Sequence, residues 1–446
     1  MSVNTTIGIL VKSHNAITLI SPFEDFNNYE IILQNNEKLL LNQFSIVNYS
    51  IEREKNILIV ENIEKLNKEK IAIYITNLEE KISPLNLLIK INKEYEPTLT
   101  LSIKNFATDF FKLLLQNPKI IMRYNRDADG ISSALAFARP NLPFLFISHN
   151  SPIYDIDQAT KDIINLKTSE KKVVILLDFG SNEESLDALM CLHENNVKTV
   201  IIDHHPMYEE NKKYANILNS YDFSKNSEIT TGFLCANISR YLNLIDEKFA
   251  QDLCFVSFAG DKSPFLNLTE KKEIYEKIAE CIDFQITYNQ LNSYEILSTA
   301  EKIIIDESFL NEVDINRQEM KEKMKEKILK YQKVKFNQKK GLYVIYLNLN
   351  KFEEFKSKSK LCNLALELSN ESNKPCAIIA YSKEKIIFRI NNAALNLGVS
   401  SEEIIEKLKK NELLISGGGH KVAASITFEK DNYSLIMKEI ENYFEN

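Results

Sequence analysis

The sequence predicts an α/β protein in four parts: a β-rich N-terminal domain (1–97), a parallel-sheet domain (98–298), a helical connector (299–340) and a smaller α/β C-terminal domain (341–446). Three observations predict it. The chain has 446 residues, more than one hydrophobic core usually serves. Between 98 and 298, short apolar runs alternate with amphipathic stretches, the pattern of a parallel sheet with crossover helices. Beyond 341, strand-type and helix-type runs mix again.

In chain order, the runs at 7–11, 16–20 and 57–60 are separated by Asn-rich turns and read as strands. Ile71, Ile73 and Ile75 alternate with other residues and read as one face of a further strand. Lys119-Ile120-Ile121-Met122, Val173-Val174-Ile175-Leu176-Leu177 and Thr199-Val200-Ile201-Ile202 read as buried strands, each followed at once by polar residues. The Glu/Lys-rich stretch at 301–335 carries Met320, Met324 and Ile328 at helical spacing, a connecting helix with a solvated charged face. Strands at 342–347, 377–381 and 386–390, with helices at 401–410 and 434–444, complete the C-terminal domain.

With 44% hydrophobic and 26% charged residues the composition is that of an ordinary soluble protein. A formal charge of -7 confines any nucleic-acid contact to local basic surface and bound cations. Cys191, Cys235, Cys254, Cys281, Cys362 and Cys376 include no closely spaced pair and sit mostly in apolar runs, which suits buried free thiols better than bridges or zinc sites. No apolar stretch reaches membrane-spanning length and no secretory signal opens the chain, so the expectation is a cytoplasmic protein with no membrane association.

In open parallel sheets, ligands bind beyond the carboxyl ends of the strands. Here those ends read Asn125-Arg126-Asp127-Ala128-Asp129-Gly130, Asp178-Phe179-Gly180 and Asp203-His204-His205-Pro206, and Gly260-Asp261-Lys262 follows an apolar helical run. Asp127, Asp129, Asp178, Asp203, His204 and Asp261 are therefore expected to converge. Carboxylates so crowded repel one another unless cations neutralise them, and two metals sharing a bridging carboxylate is the usual solution. Asp/His ligation suits Mn²⁺ or Mg²⁺ better than a thiolate-preferring metal.

Taken singly, the pieces have plainer readings. Asp127-Ala128-Asp129-Gly130 alone is more often a polar turn with a helix cap, and Asp178 alone a cap. A calcium loop starting at Asn125 fails, because the Glu required at its twelfth position is Ala136. Asp203-His204-His205 is stronger, since such a run at a buried strand end is costly unless ligated or hydrogen-bonded. Of only ten glycines, Gly130, Gly180 and Gly260 touch acidic segments, while Gly417, Gly418 and Gly419 form one run before His420. That run reads either as a phosphate cradle of backbone N–H groups or as a flexible turn. Arg389, in a strand, suits a phosphate contact or an edge salt bridge.

In this order, the segments resemble the DHH phosphoesterase superfamily, named for the motif present as Asp203-His204-His205, over roughly 101–446. The Gly-Gly-Gly-His run resembles its DHH-associated C-terminal domain. Asp-Ala-Asp-Gly, Gly-Asp-Lys and the length look most like archaeal RecJ-type single-strand exonucleases. The resemblance implies two divalent ions, Mn²⁺ ahead of Mg²⁺: one on Asp127 and Asp178, the other on Asp129, Asp178, His204 and Asp261. Asp203 would orient a ligand histidine, His205 would contact the scissile phosphate, and Arg389, His420 and the glycine run would grip substrate. Asn125 departs from the histidine or aspartate of many members and would be a weak ligand. The implied function is release of nucleotides from single-stranded DNA or RNA. The alternatives are an oligonucleotide or small-nucleotide phosphodiesterase, and a non-catalytic replisome subunit with a partner of the GINS type.

Overall fold

The computed structural model describes residues 4–12, 17–24, 29–33, 43–52, 55–138, 142, 144–370, 374–411 and 413–445. They divide into two compact units, Met1–Val313 and Asp314–Asn446.

The first unit opens with β1 (Asn4–Lys12), β2 (Ile17–Ile20), β3 (Glu30–Leu33), β4 (Phe44–Glu52) and β5 (Ile57–Glu64). They pair in the order β2-β1-β4-β5-β3, antiparallel except for β3 with β5. The isoleucines at 71, 73 and 75 then lie in a helix, α1 (Lys68–Ile82), where the sequence pattern predicts a strand. Asn67 caps it by accepting the N–H of Lys70. Ile71, Tyr74, Ile75, Leu78 and Ile82 face the core while Ile73 is 59% exposed, a stripe of helical period. Over five residues the two periods look alike; the cap and the following Leu78 and Ile82 decide for helix.

Next, α2 (Glu96–Leu114) places Leu99, Ile103, Phe106 and Phe110 in a core that also holds Ile7, Ile9 and Phe44 of the first sheet. Phe44 meets Phe111 edge-on at 6.0 Å, and its N–H donates to Asn117 Oδ1 at 2.8 Å. One core thus runs through both sheets of this unit.

The second sheet alternates strand and helix: β6 (Lys119–Asn125), α3 (Ala128–Leu135), β7 (Phe144–His149), α4 (Ile156–Leu166), β8 (Lys172–Leu177), α5 (Leu186–Glu194), β9 (Val197–Asp203) and β10 (Ala215–Asn219). All its pairs are parallel, in the order β10-β9-β8-β6-β7. Strand side chains alternate between two cores: Ile120, Met122, Val173 and Ile175 join the larger one, while Ile121, Val174, Leu176 and Ile201 pack with Ala159 of α4 and Leu189 of α5. From β6 the chain steps to β7 on one side and returns to β8 on the other. The carboxyl ends of β6 and β8 therefore flank a topological switch point. After the sheet the chain continues through α6 (Tyr221–Ser224), α7 (Thr231–Tyr241), α8 (Glu247–Gly260), α9 (Lys272–Tyr288), α10 (Ser293–Ile305) and α11 (Glu307–Tyr331), the last crossing the boundary between units.

The second unit contains β11 (Lys333–Asn337), β12 (Leu342–Asn348), α12 (Lys358–Asn370), β13 (Cys376–Tyr381), β14 (Lys385–Ile390), α13 (Asn392–Leu395), α14 (Ser401–Lys410), β15 (Ser416–His420), β16 (Ala423–Thr427) and α15 (Tyr433–Glu445). The sheet order is β11-β12-β13-β14-β16-β15, with β12 and β13 parallel and the other pairs antiparallel. Phe388 and Ile426 meet Ile404 of α14 and Ile440 of α15 in its core. The glycine run is strand β15, paired with β16, rather than a turn. None of the six cysteines is in a disulfide, and all but Cys191 are buried. Among the described residues, no helix is long and apolar enough to cross a membrane.

Candidate metal centre

Each acidic residue is carried by a strand end or a helix end. Asp127 leaves β6 and caps α3, its Oδ1 accepting the Gly130 N–H at 2.9 Å. A Cβ on Gly130 would lie 2.3 Å from the Asn125 carbonyl oxygen, so only glycine lets the chain turn this tightly here. Asp178 follows β8 in the left-handed region, φ +67°, and its N–H still donates to Ile202 O at 2.9 Å. Asp203 ends β9, and Asp261 caps the carboxyl end of α8.

Asp129, buried, is held from three sides. Thr231 N–H donates to Oδ2 at 3.0 Å, while Gly232 N–H and Ser257 Oγ donate to Oδ1 at 2.7 Å and 2.5 Å. The amino end of α7 thus points its free N–H groups at a carboxylate, where they and the helix dipole favour negative charge. A Cβ on Gly232 would lie 2.6 Å from Ser257 Cβ and 3.0 Å from Asp129 Oδ1. The hydroxyl of Thr231 also donates to Asp178 Oδ1, at 3.2 Å. Thr231, Gly232 and Ser257 are functional neighbours that the sequence reading misses. The only local sign is Thr230-Thr231-Gly232 opening an apolar helix, which also describes an ordinary helix start.

His204 sits at the centre, 3% exposed. Its Nδ1 faces Ser227 O at 3.0 Å, leaving Nε2 toward Asp261 Oδ2 at 3.1 Å, Asp178 Oδ1 at 3.3 Å and Asp129 Oδ2 at 3.7 Å. That nitrogen is buried with no hydrogen-bond partner. His205, with a side chain 47% exposed, donates from Nδ1 to Asp203 Oδ1 at 2.8 Å. Asp203 Oδ1 also accepts the N–H of His204 at 2.7 Å, and Oδ2 accepts that of Ser181 at 3.3 Å. The histidine ring that Asp203 orients is therefore that of His205, while the Ser227 carbonyl orients His204.

Crowding shows in the protonation of these groups. Burial, and then the charge of Asp129, pushes Asp127 up to about 6 and Asp261 up to about 7. The same causes raise Asp178 well above the usual carboxylate range. Asp203 differs: burial works against its charge, yet the hydrogen bond and charge of His205 hold it below that range. For His204, burial pulls downward and the charges of Asp129, Asp261 and Asp203 more than offset it, so the ring is raised.

A divalent cation fits this donor set. Ligand atoms of Asp129, His204 and Asp261 all lie within 4.8 Å of one another, as do those of Asp178, His204 and His205. With Nδ1–H fixed on a carbonyl, Nε2 presents a lone pair to three carboxylates, an arrangement a cation turns from repulsion into ligation. No thiol joins the set, which favours a hard ion.

Asn125, the expected weak ligand, hydrogen-bonds to two of the carboxylates. Its Nδ2 donates to Asp127 Oδ2 at 2.6 Å and to Asp178 Oδ2 at 3.2 Å, and its Oδ1 accepts the Arg126 N–H at 2.9 Å. The predicted substrate residues lie in the second unit. Arg389 on β14 and His420 on β15 both register with Ala423, forming one row across β16. Arg389 donates from Nε to Asn363 Oδ1 at 2.7 Å and from Nη2 to Ser359 Oγ at 2.5 Å. Gly417, Gly418 and Gly419 pair with Ile426, Ser425 and Ala424.

Residues 119–255 match the DHH family, N-terminal domain, and residues 341–446 the DHHA1 domain. The uncharacterized protein MJ1198 of Methanocaldococcus jannaschii is 23% identical over 428 residues, which cover 81% of this chain and 56% of that protein. The chain thus spans little more than half the length of that curated relative. A solved DHH domain described as a member of the s1p family of ribosomal proteins superposes with a TM-score of 0.68 at 21% identity, covering 85% of this chain and 98% of that one. RecJ from Thermus thermophilus in complex with Mn²⁺ superposes at 0.51 with 14% identity, covering 84% and 58%. Exonuclease RecJ bound to manganese gives 0.51 at 15%, covering 76% and 94%. At such identities the superpositions show a common fold. With a DHH domain followed by a DHHA1 domain on that fold, the chain belongs to the DHH superfamily.

Proposed function

We propose that the chain is a metal-dependent phosphodiesterase acting as a RecJ-like exonuclease on single-stranded DNA or RNA. The observation that carries this reading is the unpartnered Nε2 of His204, buried among Asp129, Asp178 and Asp261 at the carboxyl ends of a parallel sheet. In the working complex Asp127 and Asp178 would hold one ion, and Asp129, Asp178, His204 and Asp261 the other, with Mn²⁺ preferred to Mg²⁺. Bound there, divalent ions supply Lewis-acid chemistry, generating a nucleophile from water at neutral pH and neutralising phosphate charge.

The protein's own groups do the rest. Asp203 accepts Nδ1–H of His205, so the exposed Nε2 of a protonated ring is free to donate to a phosphate oxygen. Burial lowers the His205 pKa, but the Asp203 bond outweighs it and keeps the ring cationic to higher pH. Thr231, Gly232 and Ser257 fix Asp129 before substrate arrives. In the second unit, Arg389, His420 and the Gly417–419 backbone are the proposed phosphate contacts.

Asn125 favours a second reading, a non-catalytic replisome subunit with a partner of the GINS type. One assay separates the two: the purified full chain with Mn²⁺ or Mg²⁺ on single strands of DNA and RNA, each blocked at one end in turn, beside a dinucleotide. We expect mononucleotide release from one end of the long strands, about 100-fold slower in Asp261→Asn. Binding without hydrolysis under both metals establishes the second reading, and cleavage of the dinucleotide alone redirects the substrate to small nucleotides.

A further inference from the structure

The two proposed ion positions are not equivalent. At one, Asp129, His204 and Asp261 bring ligand atoms within 4.8 Å of one another, and Nε2 of His204 has no other partner. At the other, a side-chain amide stands between the two carboxylates. Asp127 spends Oδ1 on the Gly130 N–H, and the Asn125 amide nitrogen lies between Asp127 Oδ2 and Asp178 Oδ2, at 2.6 Å and 3.2 Å. The amide supplies two N–H donors where a cation would otherwise neutralise the pair.

Its orientation is fixed on both sides. The reverse rotamer would set amide oxygen against carboxylate oxygen at 2.6 Å and put an NH₂ against the Arg126 N–H, which now donates to Oδ1 at 2.9 Å. Loading an ion between Asp127 and Asp178 therefore breaks both amide hydrogen bonds. The only new ligand Asn125 has to offer is a neutral oxygen.

We propose that the substrate-free chain holds one divalent ion, on Asp129, Asp178, His204 and Asp261, and that the Asn125 amide keeps the Asp127 position closed to a second. This rests on the metal-dependent reading above, and stoichiometry tests the two separately. The full chain, stripped of metal, is titrated with Mn²⁺ and followed by calorimetry and electron paramagnetic resonance, beside Asn125→Asp and Asn125→His. The first variant supplies a charged ligand; the second supplies a neutral one and guards against misfolding from added charge.

Expected are one ion per chain with the hyperfine pattern of isolated Mn²⁺ in the unaltered protein, and two ions per chain in at least one variant. Two ions about 3.5–4 Å apart would couple and collapse that pattern. Two ions in the unaltered chain overturn the inference and leave the metal-dependent reading intact. One ion in all three proteins also overturns it, since Asn125 would not be the barrier. No bound ion in any of them defeats the metal-dependent reading itself.

Discussion

Thr231 serves two carboxylates at once, its N–H bonding Asp129 and its hydroxyl bonding Asp178. Thr231→Val keeps the shape and the N–H but leaves buried Asp178 short of one donor. Mn²⁺ affinity is expected to fall about 10-fold to 100-fold, and Thr231→Ser to restore it. Equal affinities in all three proteins would reduce Thr231 to a packing residue. No sequence pattern announces this threonine, because its link to Asp129 spans 102 residues and exists only once α7 meets α3. Asp178 and Asp203 are legible for the opposite reason: each stands directly after an apolar run, where an unpaired charge is costly. Asn125 is legible as a departure, but that its amide nitrogen faces Asp127 and Asp178 depends on the backbone N–H of Arg126, which takes up the amide oxygen.

At the scale of elements, the strands of the parallel sheet are the clearest part of the sequence. Buried on both faces, β6, β8 and β9 read as near-continuous apolar runs. Two elements are not legible. Gly417, Gly418 and Gly419 form a strand although glycine is depleted in strands, because pairing with β16 supplies what propensity does not. In α1 the alternation at 71, 73 and 75 imitates a strand, and the decisive signal is the Asn67 cap. Asn67→Ala should therefore lower stability by about 1 kcal/mol, read as a lower Tm, while Asn67→Asp should not. A cap-independent Tm would contradict the helix.

For the whole molecule, the raised Asp127 and Asp261 set a pH dependence. Unfolded aspartates ionise near pH ~4. The ion-free folded chain keeps protons that the unfolded chain has already released, so its stability falls as pH rises from about 4 through about 6 and 7. Below that window the contribution is fully present; above it, it is lost. A bound cation takes the place of those protons, so added Mn²⁺ should raise Tm more at about pH 8 than at about pH 5.5. A Tm gain independent of pH would count against ligation by these groups.

The core that runs from Phe44 of the first sheet through α2 to Met122 of the second gives that ion a reach beyond its ligands. Regions that unfold only with the global transition inherit any stabilisation of the folded state. Backbone amides in β4, which carries none of the proposed ligands, should therefore exchange with solvent deuterium more slowly once Mn²⁺ is bound. On this view the N-terminal sheet reports the occupancy of a site it never touches.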